Sequence, residues 1–513
     1  MLAQLDTKTV YTFMDSMVTI EEYVKRAKNL GYQTIGIMDI HSLYAAYGFL
    51  EACQKEGLRP IIGCELDWKY NNGQSEILTK LIALSTKGYQ NLMKISTAKM
   101  TGQDDFDSIR QFLQDIAVIV PFKDGVDKLD LGVDYYIGIY SDTPVQSFDH
   151  PVLPLHTVRY FQENQLESLQ VLRAIKDNIP LNQVNEIEHQ QVLLSAERLT
   201  MSFMDRYPQA ISNLAQLVEN VSYHLDKKVK LPRFNRQRPA VEELREKAQA
   251  GLVEKQLDFP LYQERLDKEL AIIHQMGFDD YFLIVWDLLR FGRTQGYYMG
   301  MGRGSAVGSL VAYALNITGI DPVKHNLLFE RFLNSERYSM PDIDIDIPDV
   351  HRSDFIRYVR DRYGTTHAAQ IVTYSTFGAK QAIRDVFKRF GTPEYELTNI
   401  TKKISFRDSL ESAYQRNAAF RQIINSKIEY QKAFAIARQI EGQPRQTSIH
   451  AAGVVVSDED LTDTIPLKIG DDMLITQYDA HAVEANGLLK MDFLGLRNLT
   501  FVQKMAELVK KKY

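Results

Sequence analysis

Eight residues, Pro341-Asp342-Ile343-Asp344-Ile345-Asp346-Ile347-Pro348, constrain this chain more than any others. Acid and isoleucine alternate with period two, so on an extended strand the carboxylates share one face and the isoleucines the other. The isoleucine face needs a core beneath it, and the acidic face needs a cleft. Carboxylates at alternate positions, about 7 Å apart, repel one another. Hard divalent cations relieve that repulsion, and oxygen ligands in a partly hydrated site suit Mg²⁺. Phosphoryl or nucleotidyl transfer is the chemistry that most often uses such a site. A calcium loop is excluded, because it needs Gly at its sixth position and Glu at its twelfth. Counting from Asp342 gives Ile347 and Ser353, and counting from Asp344 gives Asp349 and Phe355. A solvated acidic edge strand is the competing reading.

The 513 residues leave room for about two to four domains. With 45% apolar and 25% charged residues the composition is that of ordinary globular protein. No apolar run approaches a membrane span, and the start of the chain lacks a basic-then-apolar signal. Cys53 and Cys64 are too few for a disulfide framework and lack metal-ligand spacing, which points to a reducing cytoplasm. A net charge of −6 carries no global signature of nucleic-acid binding, so any basic surface is local.

The first third reads as α/β. Thr19 to Asn29 has helical spacing and stops before Gly31; Thr34 to Met38 is β-rich; Leu43 to Lys55 is helical; Arg59 to Glu65 is a further strand. This alternation predicts parallel βαβ units and an α/β barrel. The proline-bracketed basic stretch Leu231 to Pro239 is the best boundary. A helix with Leu266, Leu270 and Ile273 on one face follows, and 376–446 is helical and rich in Lys and Arg.

Two further segments share the chemistry of the aspartate run. Gly300-Met-Gly-Arg303-Gly304-Ser305-Ala-Val-Gly308-Ser309 precedes an apolar helical stretch, Leu310 to Leu315. Glycines allow close backbone approach, a helix N-terminus offers N–H groups to an anion, and Arg303 adds a charge-assisted phosphate contact. The spacing fits neither a Walker A loop nor a Rossmann fingerprint, and a tight turn into a buried helix explains the glycines equally well. Downstream, Lys490 and Asp492 are two apart and share a face if the segment is a strand. Asp492 can then complete a carboxylate cluster while Lys490 reaches phosphate; an ordinary surface ion pair is the alternative.

Five segments together carry a resemblance: Gly302-Arg-Gly-Ser-Ala-Val-Gly-Ser309, Leu328-Phe-Glu-Arg-Phe-Leu-Asn334, Met340-Pro-Asp-Ile-Asp-Ile-Asp346, Ser448-Ile-His-Ala-Ala-Gly-Val454 and Leu489-Lys-Met-Asp-Phe-Leu-Gly-Leu496. In their order and spacing the chain resembles the α subunit of bacterial DNA polymerase III, a C-family replicative polymerase, of the type without an inserted proofreading exonuclease. The resemblance implies an α/β multidomain fold. It consists of a PHP-type (polymerase and histidinol phosphatase) α/β barrel over 1–230, a nucleotidyltransferase β-type palm with a mixed sheet over 236–372 and 448–513, and a helical thumb over 373–447. It implies that Asp344, Asp346 and Asp492 hold two Mg²⁺ ions and that Asp342 is supporting. Gly302, Arg303, Gly304, Ser305, Ser309 and Lys490 would bind the incoming dNTP. Lys380, Arg384, Lys388 and Arg389, clustered on one helical face, would hold duplex phosphates together with Lys402, Lys403 and Arg445. The implied partners are primer-template DNA and, for a full-length protein, a sliding clamp, a clamp loader and helicase-primase, with no membrane.

The chain also departs from the family's pattern. The opening His-x-His of a metal-bearing PHP domain aligns with Asp6-Thr7-Lys8, the Thr-Asp-His segment reads Met38-Asp39-Ile40, and the later Asp-x-His reads Thr157-Val158-Arg159. Glu65 is retained, while His41 and His156 lie near these motifs without matching a ligand position. Lys8 and Arg159 put cations where a metal ion would sit, so no metal and no phosphoesterase or 3′–5′ exonuclease activity is expected here. The chain ends at Lys510-Lys-Lys-Tyr513, before the family's fingers. An N-terminal fragment is expected, with a non-catalytic DNA-binding or scaffold role as the alternative to polymerisation.

Overall fold

The computed structural model describes residues 3–70, 73, 75–185, 191–225, 228–334, 341 and 343–512; Asp342, Met340 and Tyr513 lie outside the described residues. Two compact units are present: Met1–Leu225 with Thr373–Ser448, and Asp226–Val372 with Ile449–Tyr513.

The first unit is built on seven strands in chain order: β1 (Ala3–Gln4), β2 (Thr34–Ile40), β3 (Arg59–Tyr70), β4 (Ser75–Ala83), β5 (Ile116–Pro121), β6 (Tyr136–Ile139) and β7 (Val152–Pro154). The helix Ile20–Asn29 between β1 and β2 ends before Gly31, whose φ of +87° only glycine adopts without strain. The helix Ala46–Glu56 crosses from β2 to β3. Both crossovers produce the expected parallel pairs, but β4 runs antiparallel to β3 and to β5, so the sheet is mixed. A bridge between Thr7, after β1, and Val158, after β7, joins the two ends of the strand order. Met38, Ile61, Ile82, Ile119, Leu153 and Leu155 form part of one buried cluster with this sheet.

Of the stretch 376–446 expected to be helical, 379–440 carries the helices Ala379–Arg389, Glu394–Lys402, Leu410–Arg416, Ala418–Asn425 and Ile428–Ile440, and the ends belong to strands. It does not have a core of its own. Ile383, Val386, Phe387 and Phe434 share one buried cluster with Leu169, Leu172 and Ile175 of the helix Leu166–Asp177.

In the second unit the sheet order is β11 (Leu467–Lys468), β12 (Ile475–Thr476), β9 (Ala368–Thr376), β10 (Pro444–Val456), β13 (Leu489–Leu496) and β8 (Ile345–Pro348). The chain leaves this unit along β9 and returns along β10. Helices Ala240–Glu254, Pro260–Met276 and Asp279–Thr294 contribute Leu244, Leu266, Leu270, Ile273 and Phe282 to a core shared with Ile345, Ile347, Met491 and Phe493.

Candidate active site

The aspartate run folds as a shorter strand than its alternation predicts. β8 begins at Ile345, and Asp344 stands on the approach to it. The isoleucine face behaves as expected: Ile343, Ile345 and Ile347 are at most 3% exposed. β13 lies parallel to β8, with Phe493 opposite Ile345 and Leu494 opposite Asp346. Residues in register on parallel strands face the same side, so Asp346, Lys490 and Asp492 share the face opposite the core, and Asp344, just before the strand, is joined to Asp346 through Arg303. The alternating burial of β13, with Leu489, Met491 and Phe493 inside, agrees.

Cations of the chain itself hold these acids. The Arg303 guanidinium places Nη2 3.1 Å from Asp344 Oδ2 and Nε 3.2 Å from both Asp346 carboxylate oxygens. Lys490 Nζ donates to Asp492 Oδ2 at 2.9 Å and lies 3.6 Å from Glu484. Asp492 Oδ1 is buried and has no hydrogen-bond partner among the described residues, an acceptor of the kind a metal ion or its water would use. The three carboxylates are not gathered: among the described residues no three acid, His or Cys side chains are close enough together to hold a metal ion.

The glycine loop is fixed against β8. Gly300 N–H donates to the Asp346 carbonyl at 2.9 Å, and a Cβ on Gly300 would lie 2.5 Å from the Asp346 Cβ, so only glycine allows this approach. Gly302 and Gly304 have φ of +75° and +72°, which turn the chain so that Arg303 reaches back to the acids. Gly304 and Ser305 are exposed beside it.

Ser309 corrects the sequence expectation. It is fully buried, caps the five-residue helix Leu310–Ala314 by accepting from Ala312 N–H at 3.1 Å, and donates to Glu269 Oε2 at 3.0 Å. Glu269 also accepts from Val311 N–H at 3.1 Å and pairs with Arg265 at 2.6 Å. The amides expected to meet a phosphate are therefore met by an internal carboxylate. Burial pushes the Glu269 carboxyl up, against the pull of those hydrogen bonds and of Arg265. Glu269 lies 40 residues upstream of Ser309, and only its place among apolar residues on a helix face marked it in the sequence.

Of the basic residues, Lys380, Lys388 and Lys402 are exposed and Lys403 is half-buried. The three arginines assigned to DNA are each engaged with groups of their own unit. Arg384 pairs with Glu394. Arg389 donates to the Ile179 carbonyl at 3.0 Å and to Asn178 Oδ1 at 2.8 Å. Arg445 lies over the Phe377 ring and 3.4 Å from Asp385.

A second acidic cluster sits inside the first unit, at the sequence positions compared with PHP ligands. Lys8 Nζ lies 2.8 Å from Asp6, 2.7 Å from Glu65 and 2.6 Å from the Met38 carbonyl. Lys80 Nζ lies 2.9 Å from Asp6 and also pairs with Glu65, and Thr157 donates to Asp6 at 2.6 Å. Lys80 went unnoticed in the sequence. The β3–β4 register sets it opposite Glu65, and a lone lysine in the apolar run 77–83 was the available signal. Burial opposes ionisation of Asp6 and Glu65, but the two ammoniums outweigh it and hold both carboxyls below their usual range. Asp39 accepts from Thr9 and Thr12, Arg159 pairs with Asp15 at 2.6 Å, and His156 Nε2 lies 2.7 Å from the Val192 carbonyl. These contacts do not fit a divalent metal, because two ammonium groups already occupy the carboxylates.

Two family models match the chain. Residues 240–495 match the model described as the bacterial DNA polymerase III alpha NTPase domain, and residues 4–129 match the PHP domain. The chain is similar to DNA polymerase III subunit alpha of Streptococcus pyogenes serotype M3, with 62% identity over the whole chain and 50% of the relative. It is 35% identical to the subunit of the same name from Bacillus subtilis strain 168, over 99% of the chain and 49% of the relative. The chain thus spans about half the length of the curated relatives it matches. With the aspartate strand, the glycine loop and the Lys490–Asp492 strand in one unit, it belongs to the bacterial DNA polymerase III alpha family.

Proposed function

We propose that the acidic face of β8 and β13 is the nucleotidyl-transfer centre of a DNA-templated DNA polymerase, which adds dNMP from a dNTP to a primer 3′-hydroxyl. The observation that carries this is the shared face of Asp346 and Asp492, with Asp344 joined to it through Arg303 and the Gly300–Ser305 loop seated against it. The donors suit divalent magnesium: all are carboxylate oxygens, one of them the buried, unpartnered Oδ1 of Asp492. Bound at these three residues, two Mg²⁺ ions would activate the 3′-hydroxyl and neutralise charge developing on the phosphates. The chain's own groups position the substrates. Arg303 and Lys490 supply positive charge for the triphosphate, and the exposed backbone at Gly304 and Ser305, turned by Gly302, lets it come close. Lys380, Lys388 and Lys402 would hold primer-template phosphates without reading sequence. For a full-length protein the proposed partners are a sliding clamp, a clamp loader and helicase-primase, in the cytoplasm. The names of the relatives support the polymerase reading.

Primer extension on a short primer-template with Mg²⁺ and dNTPs tests it. Asp344→Asn is expected to lower extension by about a thousandfold, because a metal ligand is lost from the reacting centre. Extension that survives the substitution sinks the assignment. No extension even by the unsubstituted chain makes these residues, at this length, a binding scaffold.

A further inference from the structure

Arg303 and Lys490 do more than wait for a phosphate, because both already contact the carboxylates that the proposed reaction needs. We propose that they are exchangeable counter-ions. A divalent ion displaces them from Asp344, Asp346 and Asp492, and the displaced cations then take the triphosphate, so metal and nucleotide bind as one coupled event. This rests on the nucleotidyl-transfer reading above.

Three observations carry it. First, the cations occupy the carboxylates that a divalent ion would need: Arg303 contacts both Asp344 and Asp346, and Lys490 contacts Asp492. Second, the contacts are of a kind that exchanges cheaply. Arg303 meets its partners at 3.1–3.2 Å and its side chain is 51% exposed, so water can re-solvate the guanidinium as it leaves. Lys490 already divides itself between Asp492 and the half-exposed Glu484. Third, Asp492 Oδ1 is buried and has no hydrogen-bond partner among the described residues, although its sister oxygen accepts from Lys490. The charge balance gives the direction. Among the described residues Asp344, Asp346 and Asp492 against Arg303 and Lys490 sum to one negative charge, and Glu484 adds to it. Two divalent ions reverse its sign, expel Arg303 and Lys490, and make both attractive to a tetra-anionic triphosphate.

Mn²⁺ binding to the chain, followed by the paramagnetic resonance of the free ion without nucleotide, tests this. Removing the resident cation frees two carboxylates, so Arg303→Gln is expected to bind Mn²⁺ about five- to tenfold tighter. Arg303→Lys is expected to stay near the unsubstituted chain. Arg497→Gln removes an equal charge from an exposed side chain outside the face, and is expected to change affinity less than about twofold. By linkage, saturating Mn²⁺ tightens binding of a non-hydrolysable dNTP analogue in the unsubstituted chain, and that gain shrinks in Arg303→Gln. Affinity for Mn²⁺ unchanged or weakened in Arg303→Gln overturns the exchange, as does an equal gain in Arg497→Gln or the absence of saturable binding in every variant. Asp492→Asn keeps the two failures apart: unaltered Mn²⁺ binding there removes the metal assignment itself, whereas weaker binding there with no effect at Arg303 removes only the exchange.

Discussion

Two carboxylate clusters, one in each unit, are held by the chain's own cations, and they differ chiefly in burial. In the first unit Lys8 and Lys80 are 0% and 2% exposed, and they meet Asp6 and Glu65 at short distances with Thr157 completing the hydrogen bonding. In the second, Arg303 is 51% and Lys490 23% exposed, and the contacts are longer or shared. A buried ammonium cannot leave, because departure strands two carboxylates in a medium that solvates neither. A half-exposed guanidinium trades a carboxylate for water at little cost. Counting acidic residues therefore does not separate a structural cluster from a chemical one; the accessibility of the counter-ion does.

The largest effect that sharpens this contrast is on the reaction, the loss of extension in Asp344→Asn. The same kind of change in the first unit should act on stability instead. Lys80→Met leaves Asp6 and Glu65 buried with one ammonium between them and is expected to cost about 3–5 kcal/mol in urea unfolding. Arg303→Gln should cost less than about 1 kcal/mol. A Lys80→Met chain as stable as the parent would break the comparison.

Acid titration follows with its sign fixed. Asp6 and Glu65 lie below their usual range when folded, so their stabilisation is complete above that range and is lost as pH falls through the folded values. Lys80, though burial disfavours its charge, is pushed up by Asp6 and Glu65, so its share is complete below about pH 10.4 and lost only above it. This cluster's contribution should be flat from about pH 5 to 10 and fall below about pH 4. Unfolding midpoints measured across pH, with Glu65→Gln showing a shallower acid limb, check it.

How much of this the sequence revealed depends on the range of each interaction. The aspartate run was legible because period two is local, and so were the strands and helices up to Glu65. Lys8 announced itself by standing at an expected ligand position. Lys80 did not, since only the antiparallel register of β3 and β4 brings it to Glu65, and the sequence reading expected parallel units. Ser309 was misread for the same reason. A serine before an apolar helix looks alike whether a phosphate or Glu269 meets it. Replacing Glu269 with Ala should cost about 2–4 kcal/mol by leaving the Ser309 hydroxyl proton and Val311 N–H without their acceptor and Arg265 without its carboxylate, and denaturant unfolding measures it.

The smallest expected effect extends the rule to the basic helix Ala379–Arg389. Its sequence suggested one face of four cations, but Arg389 is held by Ile179 and Asn178 and Arg384 by Glu394, leaving Lys380 and Lys388 exposed to solvent. If accessibility decides which cations do chemistry or binding, Lys380→Gln and Lys388→Gln should each reduce the slope of log affinity for duplex DNA against log salt by about one. Neither should alter stability by more than about 0.5 kcal/mol. Arg389→Gln should do the reverse, loosening its contacts to 178–179 while leaving the salt slope in place. The comparison gains most if the three variants divide that way, since the residues share a helix and differ mainly in what already holds them. An Arg389→Gln chain that loses the slope while both lysine variants keep it would show that partners read from the folded chain are abandoned when DNA binds, and that burial rather than pairing alone fixes a cation in place.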